Sequence, residues 1–244
     1  CKSGGPETNR YQPKQRIWRV RAGQVVIATG AIERFLIFPN NDRPGVMLAS
    51  AVSGYINRFA VAPGKKAVVF ANNDNAYRTA LHLVNAGSKV EAIIDVRSNP
   101  KGPLQLKAQE LGVKVLTSHA IVEVKGANKV AGVEVMALDR GGDKVEGPVT
   151  SIACDLIAAS GGWNPTVHLF SQSRGNLNYD EKIACLIPGS SQQAVSVIGA
   201  AKGSFKLKAC LLEGKIEGAR VAKDLGFSSA NEISPNPGII LEDE

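Results

Sequence analysis

The sequence has few cysteines, and none of them is arranged as a pair. Its 244 residues include four cysteines, and no two of these have Cys-x-x-Cys spacing. This excludes the usual patterns of a zinc site, an iron–sulfur cluster or a dithiol redox pair. The histidines His82, His119 and His168 also lack metal-ligand spacing, so we interpret all three as structural. We predict a reducing, cytoplasmic setting, with Cys154 and Cys210 buried as small apolar residues.

Long apolar runs are missing as well. No stretch approaches the ~20 residues that a membrane-spanning helix needs, and the start carries no signal-peptide pattern, so we predict no membrane contact. Because the chain begins with Cys1 rather than Met, we expect it to be a piece of a longer or processed protein. The net charge is +7, but the lysines are spread out and form no basic run. We therefore predict no nucleic-acid partner and attribute the charge to solvation or to an acidic partner subunit.

Apolar strands alternate with helical patterns along most of the chain. The run at 67–71 is apolar throughout, as in a buried parallel strand. Alternation of this kind predicts an α/β protein with parallel sheets. We predict helices at 47–59, 76–86, 103–111 and 205–225, a strand hairpin at 17–27, and strands at 67–71, 90–96, 113–116, 119–124, 130–138, 152–159 and 194–198.

The unit from 66 to 97 has the layout of a dinucleotide fold. The usual fingerprint between its strand and helix is Gly-x-Gly-x-x-Gly, and here Ala71, Asn73 and Ala76 stand at the three glycine positions. A side chain at Asn73 would occupy the place of the phosphate. Asp95, at the end of the next strand, stands where an acidic residue would bind a ribose hydroxyl. We interpret the unit as a Rossmann-like domain kept for its shape, with a degenerate nucleotide site.

Three other apolar strands end in small residues. A strand that stops at small residues lets the backbone come close to a ligand. The helix predicted after the last strand would add a positive dipole end and free N–H groups near 203–204. We predict that the cofactor-binding residues are Ala28, Thr29, Gly30, Gly161, Gly199, Ala200 and Gly203.

The order of these segments resembles the flavoproteins with two dinucleotide-binding domains, of the glutathione and thioredoxin reductase type. In that superfamily the last strand ends in Gly-Asp, and the Asp binds the ribityl chain of FAD. Here Gly199 is followed by Ala200. Since NAD has a ribose where FAD has the ribityl chain, we expect NAD rather than FAD in this chain.

A narrower resemblance is to the alpha subunits of heterotetrameric sarcosine oxidases. It is carried by the segments 28–34, 42–49, 68–74, 160–173 and 199–203, of which Asn-Asn-Asp at 72–74 and Gly-Gly-Trp-Asn-Pro at 161–165 are the most specific. The resemblance implies an α/β, Rossmann-like FAD/NAD(P)-binding fold with a partial first domain and an inserted second βαβ domain. The expected divisions are 1–61 and 151–226 for the first domain, 62–150 for the inserted domain, and 227–244 for a linker.

The same resemblance implies an αβγδ complex that oxidatively demethylates sarcosine. The products would be glycine, hydrogen peroxide and formaldehyde, or methylene-tetrahydrofolate when folate is present. The alpha subunit would bind NAD, share an FMN site with beta, and carry a tetrahydrofolate domain, while the flavin that oxidises the amine would lie in beta. We expect this chain alone to be inactive.

Two alternatives stay open. One is an alpha-type subunit of an opine oxidase, a hydrogen cyanide synthase or an amino-acid dehydrogenase complex. The other is a non-catalytic scaffold that holds a structural nucleotide. Arg43 and Lys202 are either phosphate contacts or solvated surface charges.

Overall fold

The structure is a computed structural model that describes residues 15–227. The helices are α1 (Ala49–Phe59), α2 (Asn75–Asn85), α3 (Pro103–Glu110), α4 (His168–Gln172) and α5 (Leu207–Asp224), with a 3₁₀ helix at Gly199–Lys202. The strands are β1 (Val25–Ile27), β2 (Ala31–Glu33), β3 (Val46–Leu48), β4 (Lys66–Ala71), β5 (Lys89–Asp95), β6 (Val115–Thr117), β7 (His119–Lys125), β8 (Gly132–Leu138), β9 (Val145–Ile152), β10 (Leu156–Ser160), β11 (Trp163–Pro165), β12 (Leu177–Asp180), β13 (Cys185–Pro188) and β14 (Val195–Val197).

The core is a five-stranded parallel sheet in the order β3-β10-β4-β5-β6. Its central strands are buried on both faces, and successive residues face opposite ways. Val69 and Ile93 pack with the residues of α1, α2 and α3. Val68 and Ile94 face the antiparallel meander β7-β8-β9 instead. The predicted α/β, Rossmann-like class is confirmed.

Three small strand pairs lie outside this sheet. β1 pairs with β14 in parallel, β2 pairs with β11 antiparallel, and β12 pairs with β13 antiparallel. The β2–β11 ribbon consists of the two chain segments that run between the β1–β14 pair and the five-stranded sheet. It therefore carries the chain into that sheet and back out of it.

The predicted hairpin at 17–27 is wrong. Val25–Ile27 forms a strand, but its partner is Val195–Val197, far along the chain, and the two run in parallel. Ile17 and Trp18 lie outside any strand, and their side chains are 94% and 78% exposed. Apolar residues that are close in sequence suggested the hairpin, but nothing in that local pattern reports the distant partner.

The predicted apolar strand at 152–159 is divided between two elements. Ile152 ends β9 in the meander, whereas β10 begins at Leu156 in the parallel sheet. The helices α1, α2, α3 and α5 and the strands β4 and β5 lie within one or two residues of their predicted bounds. Residues 228–244 of the predicted linker lie outside the described residues.

Strand pairing also bears on the division into domains. Val46–Leu48 and Leu156–Ser160 were both assigned to the first domain, yet they hydrogen-bond to each other, and Leu156–Ser160 also pairs with β4. Both segments therefore share a sheet with the inserted βαβ unit. In the described part of the chain, no helix has the length and apolar character needed to cross a membrane.

We predict that Leu83→Ala will destabilise the fold by about 2–5 kcal/mol, because it leaves a cavity between α2 and the sheet. Leu83 is fully buried in that cluster. Leu106→Ala in α3 is the matched control: Leu106 is 61% exposed, so its loss should change the stability by less than about 0.5 kcal/mol. Urea denaturation of both variants measures the difference, and equal losses would contradict the packing described here.

Candidate dinucleotide sites

The β1–β14 pair brings two of the predicted segments together. Ile27 and Val197 are opposite each other in the parallel register, and the Ile198 N–H donates to the Ile27 carbonyl at 3.0 Å. The residues that follow, 28–30 and 199–203, therefore lie at the carboxyl ends of adjacent parallel strands. Open α/β sheets bind their ligands at such ends. We call this the first edge.

Thr29 and Gly30 are tied to the returning chain. The Thr29 hydroxyl donates to the Thr166 carbonyl at 2.7 Å, and the Thr166 N–H donates to the Gly30 carbonyl at 2.9 Å. Ala28 and Thr29 are nevertheless exposed. The backbone here is held in place while its surface stays open to solvent.

The turn that follows β14 uses its own backbone donors. Gly199 has a φ of +64°, which favours glycine. Its N–H donates to the Glu213 carboxylate at 2.7 Å. The N–H groups of Gly203 and Ser204 donate to the carbonyls of Ala200 and Gly199. The expectation that N–H groups near 203–204 are free was wrong, because the 3₁₀ turn uses them and α5 begins only at Leu207.

Gly161 lies elsewhere, at the carboxyl end of β10. Its N–H donates to the Arg34 carbonyl at 2.7 Å. A Cβ at this position would lie 3.0 Å from the Phe35 carbonyl oxygen and 3.1 Å from that of Arg34. Glycine is therefore needed at 161 because two backbone segments approach closely there. Of the seven predicted residues, this is the one that the structure does not place at the first edge.

The carboxyl end of β4 and β5 forms a second edge, and Asn73 fills its turn. The Asn73 amide group donates to the Ser160 hydroxyl at 2.9 Å, and its carbonyl oxygen accepts the N–H of Ala76 at 3.3 Å. That N–H belongs to the first turn of α2, where a pyrophosphate would otherwise bind. The Asn73 side chain thus lies where the sequence predicted it, in the place of a bound phosphate.

Asp95 is also fully engaged inside the protein. It is 0% exposed. Its carboxylate accepts hydrogen bonds from the Tyr77 hydroxyl at 2.8 Å and from the N–H, Nε and Nη2 of Arg97 at 2.8–3.0 Å. Arg97 also donates to Asp74 at 2.7 Å. A ribose hydroxyl would have to displace these partners, so the predicted degenerate site is closed by the protein's own side chains.

The pKa shifts of Tyr77 and Arg97 agree with a second edge that is filled by side chains. Burial, followed by the hydrogen bond and charge of Asp95, raises the pKa of the Tyr77 phenol. Burial by itself would lower the pKa of Arg97, but its hydrogen bonds to Asp95 and Asp74 raise it overall. Tyr77 and Arg97 therefore stay protonated and keep donating to Asp95 across the ordinary pH range.

Several other side chains have structural positions. The Arg43 guanidinium donates to the Val124 carbonyl at 2.7 Å and so fastens the loop before β3 to the meander, whereas Lys202 is exposed. Cys154 is buried, as predicted, and burial raises the pKa of its thiol to about 12. Cys185 is also buried, while Cys210 is only partly buried, contrary to the prediction.

Three residues that sequence reasoning missed organise these edges. Glu213 accepts the Gly199 N–H. Arg97 neutralises Asp95, and Arg34 donates to the carbonyls of Ile183 and Ala184. The position of Arg97, two residues after Asp95, could have indicated that the two side chains pair within the protein. Glu213 and Arg34 gave no signal, because their partners are far away in the sequence.

No protein-family model matches the chain. It is 36% identical over 220 residues to a sarcosine oxidase subunit alpha of Corynebacterium sp. (strain P-1), and 36% identical over 222 residues to that of Rhizobium meliloti (strain 1021). These matches cover 90% and 91% of this chain. The chain is homologous to sarcosine oxidase alpha subunits. It spans only 22% and 21% of the length of these two relatives.

Solved structures share the fold at lower identity. An L-proline dehydrogenase from P. horikoshii superposes with a TM-score of 0.57 at 22% identity, covering 84% of this chain and 35% of that one. A thioredoxin reductase from T. acidophilum gives a TM-score of 0.60 at 15% identity, covering 84% and 66%. The chain thus shares its fold with these two proteins.

We predict that Arg97→Met will destabilise the protein by about 3 kcal/mol, because it leaves the buried Asp95 carboxylate without its ion pair. Arg220→Met is the matched control, since Arg220 also contacts two carboxylates, Glu217 and Asp224, but on an exposed surface. Thermal or urea unfolding should register a large loss for the first variant and little change for the second. Similar losses in both would contradict the structural role of the buried pair.

Proposed function

We propose that this chain is the dinucleotide-binding part of a sarcosine oxidase alpha subunit. In this proposal it supports oxidative demethylation of sarcosine to glycine, with hydrogen peroxide and either formaldehyde or methylene-tetrahydrofolate as further products. The observation that carries the proposal is the 36–37% identity to three such subunits over about 90% of the chain. The chain spans 21–23% of these relatives, so the activity of the whole enzyme is part of the proposal.

The first edge supports dinucleotide binding. The small residues Ala28, Gly30, Gly199 and Ala200 leave room for a ligand to approach the backbone, and Ala28 and Thr29 are exposed beside them. Among residues 15–227 no glycine-rich phosphate-binding turn lies at this edge. We propose that six residues of the first edge hold one end of NAD: Ala28, Thr29, Gly30, Gly199, Ala200 and Gly203. When bound, NAD supplies hydride-transfer chemistry through its nicotinamide ring.

We propose NAD rather than FAD because the residue after Gly199 is Ala200. The second edge supports no nucleotide, since Asn73 and Asp95 fill it. We also propose that the inserted unit extends from Val46 to Ser160, a division supported by the pairing of β3 and β10 with the central sheet. Gly161 then marks the return to the first domain rather than a ligand contact.

The first domain has an unpartnered face. Helix α5 has no buried residue among the described side chains, and Val25 and Val26 of β1 are 44% and 37% exposed. A parallel pair of strands is normally covered on both faces. We propose that another part of the alpha subunit, of which the chain spans 22% and 21% in two relatives, covers this face and completes the site.

For the assembled enzyme we propose beta, gamma and delta subunits as partners. FMN would lie at the interface with beta, and tetrahydrofolate would bind in another part of the alpha subunit. A non-catalytic scaffold role is a second candidate. It is favoured by the closed second edge, which removes one of the two nucleotide sites of the fold. An opine-type oxidase or dehydrogenase complex would use such a scaffold equally well.

We predict that the purified full-length alpha subunit releases NAD on denaturation and that Ala28→Trp abolishes this. A bulky side chain at the exposed first edge would block the ligand without disturbing the core. Ser98→Trp is the control, because Ser98 is exposed just beyond β5 at the second edge. Chromatography of the released nucleotide identifies NAD or FAD in each variant.

NAD lost from Ala28→Trp and retained in Ser98→Trp supports the proposed site. Loss from Ser98→Trp alone would move the site to the second edge. A wild-type chain with no nucleotide of either kind would overturn the cofactor-binding function and leave the scaffold role.

We predict that the isolated chain forms no hydrogen peroxide from sarcosine, whereas the complex reconstituted with its partner subunits does. The reason is that the flavin proposed to oxidise the amine lies in the beta subunit. A peroxide-coupled assay measures both, with an opine offered in place of sarcosine. Appreciable turnover by the isolated chain would contradict this assignment, and turnover of the opine alone would favour the opine-type complex.

A further inference from the structure

Glu33 and Arg34 lie where the β2–β11 ribbon meets the two parts of the molecule that it connects. Glu33 ends β2, and Arg34 follows it directly. Successive residues of an extended chain point to opposite faces, so the two side chains leave the ribbon in different directions. The ribbon itself has only three residue pairs. Two strands this short are barely stable by themselves, and alone they would form a hinge between the first domain and the inserted unit.

Glu33 contacts the inserted unit. Its carboxylate accepts the N–H of Ser50 at 2.8 Å, and the residue is only 8% exposed. Ser50 lies in the first turn of α1, where the N–H groups have no partners within the helix. The N-cap residue, Leu48, makes no side-chain hydrogen bond, and the first turn contains no acidic residue. Glu33 therefore supplies, from the ribbon, the carboxylate that stabilises the start of α1.

Arg34 contacts the first domain. Its guanidinium donates to the carbonyls of Ile183 and Ala184 at 3.1 and 2.9 Å. These two residues lie in the turn between β12 and β13. The same turn packs against the first edge, since a Cβ on Gly203 would lie 3.2 Å from the Cδ1 atom of Ile183. A continuous set of contacts thus runs from the start of α1 through Glu33 and Arg34 to the first edge.

The backbone of Arg34 is held as well. Its N–H donates to the Gly162 carbonyl at 2.8 Å, and its carbonyl accepts the Gly161 N–H at 2.7 Å. Gly161 and Gly162 follow β10, so the segment that leaves the five-stranded sheet is bonded to the segment that enters it. Any rotation of the chain at Arg34 would have to break these two hydrogen bonds together with those of the guanidinium.

We propose that Glu33 and Arg34 are positioning residues that clamp the first domain and the inserted unit in one relative orientation. The ribbon is then a rigid connection and not a hinge. The two edges keep a constant separation, and the inserted unit does not swing towards the first edge. The proposal concerns the two parts of the chain themselves and is independent of which nucleotide the first edge binds.

Distances between spin labels test the clamp in the full-length alpha subunit. The labels are carried by an unnatural amino acid at Ser98, beyond β5, and at Gln192, before β14, because both positions are exposed. We expect one narrow distance distribution in the wild type. In Glu33→Ala and in Arg34→Met it should be at least about twofold wider, because each variant removes one side of the clamp. Narrow distributions in both variants, or a broad one in the wild type, overturn the proposal.

Two control variants lose the same kinds of contact elsewhere. Asp155→Ala removes a carboxylate that accepts the backbone N–H of Lys66 at 2.8 Å. Arg43→Met removes a guanidinium that donates to the Val124 carbonyl at 2.7 Å. Both contacts lie on the side of the inserted unit, so both controls should keep the wild-type width.

Thermal unfolding of the four variants separates orientation from stability. Distributions that widen in the controls as much as in the clamp variants indicate a general loosening and overturn the proposal. Where a clamp variant does not fold, Glu33→Gln or Arg34→Lys replaces it, since each keeps part of the original contact. A wild-type width in these replacements overturns the proposal too. The distances depend neither on NAD nor on sarcosine turnover, so a failure of the proposed function leaves this test valid.

Discussion

The pairing of β10 with β4 is the interaction on which both edges depend. Its register runs from Leu156 opposite Ala67 to Ser160 opposite Ala71. Because β10 comes after the meander, this contact joins segments that are distant in the chain, and it sets Ser160 beside the turn that Asn73 occupies. The chain then leaves through β11, which pairs with β2 and delivers Thr166 to Thr29. A slip of one residue would turn each side chain of β10 to the wrong face.

Both edges lie at the carboxyl ends of paired parallel strands, but they differ in whether the protein's own side chains fill them. At the second edge a fully buried carboxylate is held by Tyr77 and Arg97, and Asn73 takes the helix N–H that a phosphate would use. A buried charge is tolerated only when it is paired in this way, so these side chains stabilise the unit and leave no vacancy for a ligand. At the first edge Ala28 and Thr29 are exposed next to small residues. The contrast supports the proposal that the first edge, and not the second, binds the nucleotide.

Sequence patterns predicted the elements whose signal is local. β4 is apolar from Ala67 to Ala71, β5 is apolar except for Glu91 between Lys89 and Asp95, and helix α2 between them has an apolar face, so the pattern of apolar residues identified all three. β2 and β11 were missed because each has three residues of mixed exposure. The partners of β1 and of Glu213 could not be predicted for another reason. β1 pairs with the distant strand β14, and Glu213 lies fourteen positions after its partner Gly199, so neither contact produces a pattern among neighbouring residues. The family resemblance supplied the Rossmann-like fold class, but neither of these two partners.

The polar groups of the proposed site at the first edge are already engaged within the protein. The Thr29 hydroxyl and the Gly199 N–H are already bonded within the protein, so neither has to rearrange when a ligand arrives. Groups fixed in advance lower the entropic cost of binding, which favours a tightly retained nucleotide. A group that exchanges protons during a reaction would need a free donor or acceptor there, and both of these are committed. These contacts therefore support the proposal that a dinucleotide bound at the first edge is retained there.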